Sequence, residues 1–171
     1  MPSGKTHDRI TLWILPWIVG GSIILTRDGE LTLIVAGAFL FSGLMFGPDL
    51  DIYSIQFKRW GILRYFWLPY QKLFRHRSFF SHGLIIGTVI RVLYFLSILI
   101  ILSTFLVAIA QLIFGFYWNW QIFTLNSFNL IKQEYLQEAI ALFCGLELGA
   151  MSHVLSDLLG SMYKRRQKKK K

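Results

Sequence analysis

The sequence predicts an all-α integral membrane protein, a helical bundle with about four transmembrane helices. Three observations carry this expectation. Of its 171 residues, 54% are hydrophobic and only 16% charged, and the mean hydropathy is +0.51; soluble globular chains carry about 25% charged residues. The apolar residues are gathered into four runs, Ile10–Leu25, Leu31–Gly47, Gly83–Phe116 and Ala139–Leu159. The basic residues gather before the first run, between the second and third and after the fourth, which puts them on one side of the membrane, as the positive-inside rule demands.

The first run follows Lys5 and Arg9 and spans about 24 Å at a rise of 1.5 Å per residue, against a hydrocarbon core of roughly 30 Å. No A-x-A-like cleavage site follows it, and Arg27-Asp28-Gly29-Glu30 leads directly into the second run. Residues 1–25 are therefore expected to stay as a span rather than leave as a signal peptide. The polar break with its glycine suits a tight helical hairpin.

The second run is expected to end at Gly47, because Pro48 disfavours a helical conformation in the residue before it. If the chain then runs extended, Asp49 and Asp51 point the same way. Two aspartates so placed repel unless a cation or a proton sits between them. The following stretch, Ile55–Phe74, mixes Lys58, Arg59, Arg64 and Lys72 with Phe57, Trp60, Tyr65, Phe66, Trp67 and Tyr70. That composition suits a segment lying in the headgroup layer, where it would roof a site or guide an anionic substrate.

The third run is 34 residues long and holds neither proline nor a polar turn cluster, so it reads as one long or tilted helix. Arg91 is expected to snorkel from it. Glu147, in the middle of the fourth run, fits either a protonated buried acid or a partner of Arg91. Cys144 is expected to be a small core residue; as a single cysteine it allows no disulfide or thiolate cluster within one chain.

The net charge of +9 is local. The tail Lys164-Arg165-Arg166-Gln167-Lys168-Lys169-Lys170-Lys171 holds seven of the 18 basic residues, which leaves 11 against 9 acidic ones. Residues 1–163 thus form a four-span membrane domain and residues 164–171 a basic cytoplasmic tail. Such a tail attracts anionic lipids by about 1 kcal/mol per Lys near the surface. The expected partners are the bilayer and those lipids, with no nucleic acid; the oligomeric state is not encoded visibly. The orientation is both termini cytoplasmic, in a plasma (inner) or thylakoid-type membrane.

With that orientation, every histidine lies at a cytoplasmic helix end beside carboxylates or another histidine. His7-Asp8 opens the first span, and Asp49 and Asp51 close the second. His76 and His82 precede the third, while His153 and Asp157 lie near the end of the fourth. Imidazole and carboxylate are ligands of borderline and hard divalent metals. His153 and Asp157, four apart, share one helix face. His76 and His82, six apart, can converge only if a helix begins between them, with Ser78 or Ser81 as its cap. Arg77 offers a fork that fits phosphate. The expected metal ligands are His7, Asp49, Asp51, His76, His82, His153 and Asp157, with Asp8 as a further candidate. Arg77 is the expected anion-holding group in catalysis. The cofactor is expected to be a divalent metal ion, zinc first and manganese or iron otherwise. So many ligands suit two neighbouring metals, or one metal with acid/base groups around it.

The residues His-Arg-Ser-Phe-Phe-Ser-His at 76–82, Pro-Asp-Leu-Asp at 48–51, His7, and Ser-His-Val-Leu-Ser-Asp at 152–157 resemble the membrane-bound metal-dependent hydrolases of bacteria. The opening Met-Pro-Ser-Gly-Lys-Thr-His-Asp-Arg and Gly-Leu-Met-Phe-Gly-Pro-Asp-Leu-Asp at 43–51 are similar to a subgroup known as uncharacterised metal-binding proteins, common in cyanobacteria. The resemblance covers roughly residues 1–95 and 145–160. It implies an integral membrane protein with a His/Asp metal site. Ile52 stands where a further His often follows in the broader family, and the segment between Asp51 and His76 is longer. The His-x-x-x-Asp element at 153–157 is similar to one in zinc-dependent phospholipases and nucleases. The expected function is metal-dependent hydrolysis of a phosphoester, possibly of a lipid, at the cytoplasmic face. A non-catalytic metal-binding protein and a structural membrane protein are the alternatives.

Overall fold

The computed structural model describes residues 4–168, apart from the side chains of Lys5 and of residues 163–168. The side chains of the basic tail thus lie outside the described residues. Every regular element among the described residues is helical. Four helices are long and apolar enough to cross a membrane: α1 (Gly4–Thr26), α2 (Gly29–Leu44), α6 (Ile86–Phe114) and α8 (Leu136–Lys168). Between α2 and α6 lie three short helices, α3 (Ile55–Arg59), α4 (Leu68–Leu73) and α5 (Phe79–His82), and two 3-10 turns, Pro48–Asp51 and Gly61–Trp67. The 34-residue apolar run begins with a bend at residues 83–85 and then forms one long helix, α6, of 29 residues.

The α1–α2 hairpin forms where the polar break predicts it. Asp28 caps α2, its carboxylate accepting from the backbone N–H groups of Glu30 (2.7 Å) and Leu31 (3.1 Å). Helix α2 then packs tightly against α8. Cβ atoms added at Gly145 and Gly149 would stand 2.5 and 2.6 Å from the Val35 and Phe39 carbonyl oxygens, so only glycine allows this approach. Small residues four apart are a common way to bring two membrane helices close. The Ser42 hydroxyl fixes the register by donating to the Leu146 carbonyl at 2.6 Å. One turn beyond Gly149, α8 presents His153 beside the end of α2.

The last carbonyls of α2 have no partners within their own helix. The segment after it supplies them. Gln56 Nε2 donates to the Gly43 carbonyl, Arg59 Nη1 to that of Leu44 and Trp60 Nε1 to that of Met45, at 2.8–2.9 Å. Of the aromatic residues in the expected headgroup-layer segment, Phe57, Trp67 and Tyr70 turn inward and are buried with Phe46, Trp60 packs against them with Tyr94 and Phe95, and Phe66 stays exposed. Trp67 stacks on Phe95 and meets Phe46 and Trp60 edge-on. Ile62, Tyr65, Phe79 and Phe80 remain exposed. The stretch is a packed aromatic cap on the start of α6.

Other expectations give way. Arg91 does not snorkel; it is 1% exposed and donates to the Ser81 carbonyl and the Thr88 hydroxyl, each at 2.8 Å. Glu147 accepts the Ile85 N–H at 2.9 Å. Both residues pin the bend between α5 and α6, where Ile85 takes a positive φ of 63°. Cys144 is exposed. The connection after α6 contains a helix the sequence did not announce, α7 (Trp120–Gln133), capped by Asn119 and with no buried residue.

Candidate metal centre

Four separate elements deliver ligand-type side chains to one place: the first turn of α1, the turn after α2, the segment around α5, and the later part of α8. Asp49 and Asp51 do not lie on an extended strand. They belong to a 3-10 turn with Pro48 at its start, so their carboxylates diverge to serve different histidines. The turn is held from outside by Gln71, whose Nε2 donates to the carbonyls of Leu50 (3.0 Å) and Ile52 (2.9 Å).

The Asp51 side chain is fully buried, and its Oδ1 lies 2.8 Å from His76 Nδ1. With the proton on Nδ1, His76 donates to Asp51 and leaves Nε2 as a lone-pair donor. A carboxylate that orients a histidine in this way is the usual companion of a metal-ligating imidazole. Asp51 thus holds a ligand rather than being the clearest ligand itself. A helix does begin between His76 and His82, at Phe79 with Ser78 before it. It brings the two rings to 5.1 Å, edge to face. His82 Nδ1 lies 2.9 Å from the Ser81 hydroxyl and 3.6 Å from Asp51 Oδ2, while its Nε2 lies 3.8 Å from Asp49 Oδ1. Burial holds the His82 imidazole below its ordinary value of 6.5; Asp51 and Asp49 oppose that, and His76 and His153 add to it. His82 is therefore neutral at pH 7, the form that binds a metal. Ligand atoms of Asp49, His76 and His82 all lie within 4.8 Å of one another, close enough to share one ion.

The other oxygen of Asp49 faces a second group. His153 Nε2 lies 3.3 Å from Asp49 Oδ2. The His153 ring stacks on His7, with centroids 4.0 Å apart and planes 18° from parallel. His7 Nδ1 hydrogen-bonds the Ser156 hydroxyl, and its Nε2 lies 3.3 Å from Asp157 Oδ1. Asp157 Oδ2 accepts from Arg77 Nη2 at 3.4 Å. Asp8 stands apart: it forms a two-pronged ion pair with Arg59, which also caps α2, and takes no part in the cluster.

Seven polar atoms of this cluster are buried with no hydrogen-bond partner: Asp49 Oδ1, Asp51 Oδ2, His76 Nε2, His82 Nε2, His153 Nδ1, His153 Nε2 and Asp157 Oδ1. Buried polar atoms are nearly always paired, and a group of orphans marks water or an ion. All seven are metal-ligand atom types, so the donor set fits a divalent cation. A cleft of about 250 Å³ reaches His7 and Asp49 from outside, with Tyr53, Ile55 and Lys58 on its walls. Each of the seven residues expected as ligands lies in this cluster, and Arg77 lies at its edge. The sequence missed Gln71, Ser81 and Ser156, which hold the turn or the imidazoles; nothing in their spacing marks them.

The family model described as uncharacterized metal-binding protein (DUF2227) matches residues 2–167. No curated protein and no solved structure matches the chain.

Proposed function

This chain belongs to that family of uncharacterised metal-binding proteins, and we propose that it is an integral membrane metallohydrolase acting on a phosphoester at the cytoplasmic face. The observation that carries the reading is the set of buried, unpaired ligand atoms, one of whose residues, Asp49, also lines a cleft. Asp49, His76 and His82 supply three ligand atoms; three protein ligands with a free position are the mark of catalytic rather than structural zinc sites. Zinc fits this nitrogen and oxygen set, and manganese or iron would also fit it.

A divalent cation held there would supply Lewis acidity, polarising a phosphoryl oxygen and acidifying water. The chain's own residues do the rest. Asp51 and Ser81 fix the rings of His76 and His82 so that both present Nε2. Arg77, whose side chain is half exposed, uses one N–H on Asp157 and keeps the remainder of its fork for an anionic oxygen. Lys58, above the Tyr53 ring at 4.7 Å, places a second cation at the cleft. Hydrolysis consumes one water, forming a P–O bond from it and breaking the ester P–O bond, with the leaving oxygen taking up a proton. Apolar residues beside the cleft favour a substrate with a lipid part.

In this reading four helices span the bilayer with both termini inside, in a plasma (inner) or thylakoid-type membrane. The basic tail rests on anionic lipid. The resemblance to membrane-bound hydrolases supports the same reaction. The Arg77–Asp157 ion pair favours a second reading, non-catalytic metal binding, because it partly occupies the anion fork.

The test is hydrolysis of short-chain and long-chain phosphoesters by metal-loaded protein in vesicles, beside the Arg77→Met and His76→Ala variants. We expect turnover that His76→Ala abolishes and Arg77→Met weakens chiefly through KM. Full metal loading without turnover of any phosphoester would leave the non-catalytic reading.

A further inference from the structure

We infer that the 3-10 turn Gly61–Trp67, at the tip of the aromatic cap, is a lipid-binding surface that sits in the cytoplasmic leaflet and takes anionic phospholipid. The inference rests on the spanning and orientation of α6 proposed above and is independent of the metal centre.

Depth comes first. Helix α6 has 29 residues, about 44 Å at 1.5 Å per residue, against a hydrocarbon core of roughly 30 Å. Its first turns therefore stand in the headgroup layer. Tyr94, about two turns into α6, donates its hydroxyl to the Phe66 carbonyl at 2.6 Å. Trp67 stacks on Phe95, and Trp60 meets the same ring edge-on. The turn is thus fastened to the side of α6, at the boundary between headgroups and hydrocarbon.

What the turn leaves outward suits that depth. Trp67 is the residue it buries. Ile62 is 81% exposed, and Leu63, Tyr65 and Phe66 are exposed with it. Acyl chains solvate such side chains at no cost, whereas water does not. Arg64, in the same turn, lies over the Tyr65 ring at 5.3 Å. An arginine so placed lays its stem on apolar surface and keeps its guanidinium among the headgroups.

Charge names the lipid. No Asp or Glu occurs between Asp51 and Glu134, whereas Lys58, Arg59, Arg64, Lys72, Arg75 and Arg77 all fall there. Arg59 and Arg77 pair with Asp8 and Asp157. The other four have no ion pair among the described residues. Unpaired cations beside an apolar tip match a headgroup whose phosphate is not balanced by a cation of its own.

The test uses the full chain in vesicles, in a Cys144→Ser background, with a fluorophore on Ile62→Cys or, as a control for the span, on Ile101→Cys. Quenching is read with phosphatidylglycerol or phosphatidylcholine brominated on the acyl chains, at equal mole fraction, and with acrylamide from the water. We expect both lipids to quench residue 62, brominated phosphatidylglycerol at least about twofold more strongly because anionic lipid gathers at the cations. Arg64→Gln/Lys72→Gln, which leaves the basic tail intact, should abolish that preference. A residue 62 open to acrylamide and unquenched by either lipid, with residue 101 quenched, would overturn the inference and leave the span standing. A residue 62 shielded from acrylamide and from both lipids would overturn it in favour of a protein covering the tip. Equal quenching by the two lipids, or a preference that the double variant keeps, would overturn the assignment to anionic lipid. A residue 101 unquenched by lipid would overturn both the span and the inference.

Discussion

His153 Nε2 lies 3.3 Å from Asp49 Oδ2, yet neither nitrogen of that buried ring has a hydrogen-bond partner. Leaving such a group unsatisfied costs about 1–3 kcal/mol. The same holds for His76 Nε2, His82 Nε2 and Asp157 Oδ1 in the same pocket. A metal ion shared by Asp49, His76 and His82 would accept the lone pairs that the geometry leaves free on those two imidazoles. That relationship organises the expectations below.

Replacing His76 or His82 with alanine should weaken metal binding at least about tenfold, as loss of a ligand or its orienting partner does. Asp51→Asn should do so as well, because an amide in place of the carboxylate holds the His76 Nδ1 proton more weakly. Competition titration against a chelating dye reads each case. Unchanged affinity in His76→Ala would remove that residue from the centre.

Acid should release the metal. Protons compete with it for the imidazoles, so affinity falls as pH falls. The metal-free protein should also lose stability on acidification. His82 has a folded value below its unfolded 6.5, so below pH 6.5 the unfolded chain binds a proton that the folded chain refuses. Stability therefore rises with pH across the window between the two values. Thermal melts of metal-free protein between pH 5 and 7.5, with His82→Gln as the control, check the sign. A melting temperature that rose on acidification, and did so only with His82 present, would contradict it.

The site depends on a helix contact some distance from it. A side chain at Gly149 meets the Phe39 carbonyl at 2.6 Å and forces α8 away from α2. Gly149→Val should cost about 1–3 kcal/mol by overpacking and reduce metal affinity by separating His153 from Asp49. Gly21→Val, where nothing lies within 4 Å, should do neither. Equal effects of both substitutions on metal affinity would break the link.

Arg91 is a positioning residue. It holds the Ser81 carbonyl, and Ser81 in turn meets His82 Nδ1. Arg91→Met should lower stability by about 1–3 kcal/mol and weaken metal binding, although residue 91 touches no expected ligand. Arg91→Lys should recover part of both. Chelator competition beside thermal melts separates the two effects.

The convergence of His and Asp residues was legible because ionisable groups are scarce in so apolar a chain. His7, Asp49, Asp51, His76, His82, His153 and Asp157 include all four histidines and three of the five aspartates of the chain. Their roles were less legible. Asp49 and Asp51 lie two apart, and only the 3-10 turn after Pro48 sends one toward His153 and the other toward His76. Arg91 looked like a snorkelling cation because spacing shows depth along a helix and not what stands opposite it. Trp60 and Trp67 carried the composition of a membrane-surface segment, yet the carbonyls at the end of α2 and the rings of α6 drew that segment inward. Helix α7 escaped notice because short amphipathic patterns among polar residues resemble a connection.

Topology has a direct check. In a Cys144→Ser background, Tyr53→Cys should react with a membrane-impermeant thiol reagent only from the cytoplasmic side, and Tyr117→Cys only from outside. Both tyrosines are exposed, at 67% and 87%. Labelling of residue 53 from outside would invert the orientation.

The most direct measurement of the central claim is metal content per chain in purified protein, by elemental analysis, beside Asp49→Ala. We expect at least one equivalent of a transition metal in the wild type and its loss when both oxygens of Asp49 are removed. Absence of metal from the wild type, even after reloading with zinc, manganese and iron, would contradict the account and leave the His–Asp contacts as ties between helix ends.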